Sequence, residues 1–287
     1  MRDALLSTDA AYWALDWCLT MGADACVEHT PQRVEPWVAA APALTPATTA
    51  RAADRHMTTP AATPTPAKPA PRAAELTPSP SMLEAVTEAR ALADGATDLA
   101  SLEAAVRGFN GCALKKTATN TVFAQGVASS GVMFIGEAPG ADEDRQGIPF
   151  CGASGQLLDK MLGFIGLERA RNFYISNFLF WRPPGNRQPT PEELEICRPL
   201  VEKHIALVAP RLLVLVGGTA TSALLKDTRG ITRLRGQVFA YQNGYMPAPV
   251  PTHVIYHPSY LLRQPMAKKQ TWADLLALKA QLMAGAA

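Results

Sequence analysis

Residues 131–162 read GVMFIGEAPGADEDRQGIPFCGASGQLLDKML, and the fold is decided there. Val132, Met133, Phe134 and Ile135 form a short apolar run ended by Gly136, the pattern of a buried parallel strand whose carboxyl end opens into a site. A loop is expected next, with Gly136, Pro139 and Gly140 allowing tight backbone paths and Glu137, Asp142, Glu143 and Asp144 loading it with carboxylates. After Pro149-Phe150, the small residues Gly152, Ala153, Ser154 and Gly155 lead into a helix whose Leu157, Leu158, Met161 and Leu162 recur at helical spacing. The helix N-terminus then directs its free N–H groups at the same loop. The loop lacks the Gly-Lys-Ser/Thr ending of a phosphate loop and the spacing of the dinucleotide fingerprint, so no nucleotide cofactor is indicated. Four loop acids also suit a solvated surface, and Phe150 suits a core position, so the rest of the chain has to decide.

Downstream, residues 171–180 (RNFYISNFLF) predict a second strand, with Asn177 a polar side chain inside an apolar run. A buried Asn must find partners, either as a structural staple or as a reader of a ligand's edge. Thr190 is a good N-cap ahead of Pro191, Glu192 and Glu193, which predicts a helix over 191–208. Residues 211–216 (RLLVLV) form the next strand, with a helix over 220–225 returning from it. A last strand over 252–256 delivers His257 to Arg263 (HPSYLLR) to the same edge, before a C-terminal helix over 268–283. Strands alternating with helices imply an α/β fold, a three-layer α/β/α sandwich on a central, mainly parallel sheet of about four strands. Ligands of such sheets bind at the carboxyl ends of the strands.

Upstream, residues 81–106 recover helical periodicity through Leu83, Val86, Ala89, Leu92, Leu99, Leu102 and Val106, with a second helix start at Ser101. A short strand is expected at 121–123, after a loop over 109–120 whose Lys115 and Lys116 are either solvated or phosphate-reaching. Residues 31–80 hold 11 of the 24 prolines among Ala and Thr. That composition describes an extended linker rather than a core. Residues 1–30 carry an amphipathic segment over 4–21 with Trp13 and Trp17, suited to capping the main domain or docking a protein partner. The domain expected to carry function is therefore 81–287.

With 287 residues, 48% hydrophobic and 18% charged, the chain can bury a full α/β core in one or two domains. A net charge of +2 is too mild to diagnose a nucleic-acid binder by itself. No apolar run approaches the ~18 residues of a membrane span, and the start shows no basic-then-apolar leader, so a cytoplasmic protein without a membrane partner is expected. Five dispersed cysteines do not make a disulfide framework.

Three motifs at three strand ends, GEAPGADED with PFCGASGQLLD, SNFLFWRPPGNRQP, and HPSYLLR, resemble the uracil-DNA glycosylase superfamily, and within it the family 4 branch, over residues 99–282. The resemblance implies a DNA repair enzyme acting as a monomer on DNA containing uracil. It would hydrolyse the bond between uracil and deoxyribose, with the nucleotide flipped out of the stack. Uracil leaves as an anion from an oxocarbenium-like sugar, so the site needs a group for the base oxygen and an acid near the sugar and water. By resemblance His257 donates to uracil O2, and Glu137 or Glu143 positions water or stabilises the cation. Gly136 and Ala138 line the substrate, Ala138 standing where other branches carry Asp or Asn. Phe150 stacks on the flipped base, and Asn177 reads the edge that distinguishes uracil from cytosine. Pro258 and Ser259 press the DNA backbone, and Leu261 or Arg263 fills the gap left by the base. Arg182, Arg187, Arg233 and Arg235 are candidates for phosphates. Two further readings stand beside this one: a DNA-damage binding module without turnover, and a broader glycosylase acting on other deaminated bases.

The family usually holds a four-iron cluster on four cysteines. Cys112 and Cys197 match two of the ligand positions, while Phe109 and Trp181 stand at the other two. Neither ring can replace a thiolate on iron, so no cofactor and no metal is expected.

Overall fold

A computed structural model describes residues 79–284; the expected 4–21 helix and the linker through residue 78 lie outside the described residues. Helices α1 (Pro80–Gly95) and α2 (Leu99–Gly108) precede strand β1 (Ala124–Gly126). Strand β2 (Val132–Gly136) leads to α3 (Ala141–Gln146) and α4 (Ala153–Gly163), and β3 (Tyr174–Asn177) leads to α5 (Pro191–Val208). Next come β4 (Leu212–Val216), α6 (Gly218–Leu225), α7 (Ile231–Leu234) and β5 (Val238–Tyr241). Strand β6 (Val250–Ile255), α8 (Pro258–Arg263) and α9 (Lys268–Ala284) complete the described chain.

The sheet has six strands in the order β1-β3-β2-β4-β6-β5. Its centre, β3-β2-β4-β6, is parallel throughout, as the apolar runs require, and β1 and β5 close the two edges antiparallel. The count of about four strands is thus corrected to six. Residues 121–123 are not a strand, and pairing to β3 begins one residue later at Ala124. Alternate residues of each central strand serve opposite faces. Met133, Ile135, Leu213, Leu215 and Val254 pack under α1, α2, α5 and α6, whereas Phe134, Ile175, Val214, Val216 and Ile255 pack under α4, α8 and α9.

Helix α5 has the predicted bounds because Thr190 and Glu193 form a reciprocal capping box, each side chain accepting from the other's backbone N–H. Two other readings shift. The cap of α2 is Asp98, with Ser101 as its box partner three residues inside. The buried stripe of α1 is Ala85, Ala89 and Ala93, which lets it lie close against α5, while Leu83 points outward. Among the described residues, no helix is long and apolar enough to cross a membrane.

Candidate active site

The carboxyl ends of β2, β3 and β6 converge on a cavity of about 440 Å³. Glu137, Ala138, Glu143, Phe150, Asn177, His257, Ser259 and Arg263 all line it, so one place gathers most of the residues singled out above. An adjoining cavity of about 390 Å³ shares Glu137, Ala138, His257, Ser259 and Arg263 and extends past Gly217 and Thr219.

Gly136 and Asn177 are register partners at the ends of β2 and β3. A Cβ on Gly136 would stand 2.3 Å from the Phe150 ring and 2.5 Å from Asn177 Oδ1, so only glycine lets both side chains meet there. Asn177 is 1% exposed, yet its Oδ1 has no hydrogen-bond partner. A buried amide oxygen left without a donor is costly, and beside a cavity a ligand N–H is the natural partner. Phe150 covers the same spot, its ring centroid 5.7 Å from that of His257. Its backbone is left-handed, with φ 53°, a conformation that side-chain-bearing residues rarely adopt.

His257 caps α8: its Nδ1 accepts from the Ser259 backbone N–H at 3.2 Å and lies 2.8 Å from Ser259 Oγ. With Nδ1 accepting, the neutral ring carries its proton on Nε2. Burial, aided by the Arg263 charge, pushes the His257 pKa down to about 4. Near neutral pH it is therefore an uncharged N–H donor, suited to an anionic oxygen.

The two candidate acids separate on geometry. Glu143 accepts from Gly140 N–H at 3.0 Å through Oε2 and from Gly152 N–H at 2.9 Å through Oε1, joining the start of α3 to the start of α4. The acidic loop is thus partly helical, and Glu143 is its staple. Glu137 lines both cavities, and its carboxylate makes no hydrogen bond or ion pair among the described residues. Asp144 turns inward to accept from Thr119 and Asn120 N–H, a structural tie.

The DNA-facing assignments need correction at two residues, Pro258 and Leu261, both buried on α8. Leu261 is 0% exposed and packs in the core with Pro258 one turn earlier on α8, so it cannot enter a duplex; Leu262 and Arg263 face outward instead. Arg235 pairs with buried Asp274, and Lys115 donates to the Arg107 and Phe109 carbonyls, so both are structural. Arg187 lines the cavity in a bidentate pair with Glu193, and Arg263 stands at the mouth shared by the two cavities. Arg169 was not visible beforehand, because it sits in no motif and reaches the site only through its contacts with the backbone of 149–150.

The four positions compared with a cluster site hold two thiols and two rings. Phe109 and Trp181 are each 1% exposed, with ring centroids 6.3 Å apart, and Trp181 Nε1 donates to Thr121 Oγ1 at 3.1 Å. Cys112 and Cys197 are both buried, and the neighbouring Cys112 thiol, with burial, pushes the Cys197 thiol well up. Two thiols, with a phenyl ring and an indole at the other two positions, do not make a set of four soft ligands.

A parallel-sheet pocket with an aromatic lid, an amide aimed inward, a neutral imidazole and an unpaired carboxylate describes a site that recognises a flat polar heterocycle and hydrolyses a bond to it. The model of the Uracil DNA glycosylase superfamily matches residues 123–276, and the chain belongs to that superfamily. It is 38% identical over 167 residues, 57% of this chain and 82% of the relative, to the type-4 uracil-DNA glycosylase of Archaeoglobus fulgidus. It is 36% identical over 180 residues, 62% of this chain and 91% of the relative, to the type-4 enzyme of Pyrobaculum aerophilum.

Proposed function

We propose that the chain is a DNA repair glycosylase that hydrolyses the N-glycosidic bond of uracil in DNA and leaves an abasic site. The observation that carries this is the orphaned, buried Oδ1 of Asn177 facing the Phe150 ring. Uracil offers N3–H to that oxygen and its O4 to the amide N–H₂. Cytosine presents the opposite polarity at both atoms and does not pair with the amide in this orientation. A base inside a duplex reaches a pocket at the strand ends only if its nucleotide leaves the stack.

In the reaction, the C1′–N1 bond breaks with its electron pair passing to uracil. His257 Nε2–H donates to the anion's O2 without transferring its proton. The sugar is left as an oxocarbenium ion, and Glu137, which lines the same cavity, stabilises it electrostatically and orients the water that adds to C1′. Water loses its proton to Glu137 as the C1′–OH forms. Glu143 holds Glu137's loop in place through two backbone amides. Arg263 would meet a phosphate or, like Leu262, fill the vacated stack.

We further propose that this chain works without the family's iron–sulfur cluster, the Phe109–Trp181 contact holding the 109–116 segment by packing instead.

The test separates the acids. Glu137→Gln should lower single-turnover excision ~100- to 10,000-fold with the fold intact. Glu143→Gln should chiefly lower the melting temperature, costing roughly 1–3 kcal/mol as one amide loses its acceptor. A Glu137→Gln variant as fast as the parent would remove Glu137 from the chemistry.

A further inference from the structure

We infer that Arg169 is a positioning residue for excision: it pins the strained Pro149-Phe150 backbone so that the Phe150 ring closes the base pocket. The inference rests on the reading of that pocket as the uracil site, and it assigns a role to a residue outside every motif and outside the cavity lining.

Phe150 needs holding. It is one of four non-glycine residues with positive φ in the described chain, and with Asn186 one of two among them that line the site. A left-handed residue with a Cβ relaxes towards extended or helical backbone unless its surroundings fix it. Relaxation here would swing the ring off Gly136 and away from Asn177.

One guanidinium supplies the restraint. Arg169 Nη1 donates to the Pro149 carbonyl at 2.6 Å, and Nη2 donates to the Phe150 carbonyl at 2.9 Å, so both peptides around the strained Cα are gripped. Its remaining donors anchor that grip. Nη1 also reaches Gln125 Oε1 on β1 at 2.8 Å, and Nη2 and Nε reach the Asp159 carboxylate on α4 at 2.9–3.3 Å. All five N–H groups are thereby used, tying the loop to an edge strand and a helix at once. From the opposite side the first turn of α4 closes on the same carbonyl: a Cβ on Gly155 would lie 1.7 Å from Phe150 O. Lysine cannot replace this fork, because one ammonium on a flexible stem cannot span two successive carbonyls and a carboxylate in a fixed plane.

The geometry predicts an effect on the chemical step that runs through Phe150. In the full chain, Arg169→Ala should lower the single-turnover excision rate on uracil DNA ~10- to 100-fold, the scale of a displacement of about 1 Å in a catalytic constellation. Affinity for DNA carrying a non-hydrolysable 2′-fluoro-deoxyuridine should change by less than ~3-fold, since phosphate contacts dominate it. Arg169→Lys, which keeps the charge, should not restore the rate. The deciding measurement is the cycle with Phe150→Ala: once the ring is gone, adding Arg169→Ala should slow excision by less than ~2-fold, because residues acting as one unit are non-additive. An Arg169→Ala rate equal to the parent's, a full rate restored by lysine, or losses that multiply in the double variant would each overturn the inference. If Arg169→Ala fails to fold, the lysine variant and its combination with Phe150→Ala answer the same question. Parent protein that excises no uracil would instead sink the proposed function and this role with it.

Discussion

At the scale of single residues, the site depends on atoms whose roles cannot be read from residue type. Asn177 was legible as a polar residue inside a strand, but only the fold reveals that its Oδ1 is buried without a partner against Gly136 and Phe150. Asn177→Asp should therefore cut uracil excision by ~10- to 1,000-fold, because the replaced N–H₂ no longer donates to O4 and a buried charge is introduced. Any activity that remains should shift towards cytosine, read as alkali-labile breaks at a single uracil or a single cytosine. Unchanged uracil excision would make Asn177 structural. Leu261 and Leu262 show the converse limit. They are identical and adjacent, and only the phase of α8, which turns Pro258 and Leu261 inward together, buries one and exposes the other. The roles of Glu137 and Glu143 were likewise open in the sequence, since accepting two backbone amides leaves no trace in residue order.

At the scale of elements, strong local signals located structure well and weak ones did not. The cap of α5 and the apolar runs of β2 and β4 carry their own boundaries, because each segment's preferences agree with its burial. Strand β5 is a four-residue apolar run, VFAY, and β1 is three residues long, so both are too short for periodicity to tell strand from other buried structure. Helix α3 hides among loop acids because its amphipathic period spans under two turns. The Phe109–Trp181 contact also belongs at this scale, because it ties the 109–116 segment to the chain after β3. Two buried rings supply hydrophobic and aromatic contact there. Protein purified without oxygen should show no absorbance near ~400 nm and negligible iron. Trp181→Ala should cost ~3–5 kcal/mol in stability, as for other large buried aromatics. About four irons per chain, lost on Cys112→Ala, would contradict this account.

At the scale of the whole molecule, the parallel sheet brings residues from three separated motifs to one edge, and the helices on both faces keep those strand ends rigid. Every side chain proposed to act lies between Gly136 and Arg263, so excision should not require the first 78 residues. The measurement that tests the central claim most directly is abasic-site formation by the full chain and by residues 79–287, on single- and double-stranded oligonucleotides carrying one uracil, with cytosine and thymine controls. The account predicts alkali-labile breaks at uracil alone, formed equally fast by both proteins. No breaks above background on single-stranded uracil DNA at equimolar full-length protein would contradict it and leave a pocket that binds a base without cleaving it.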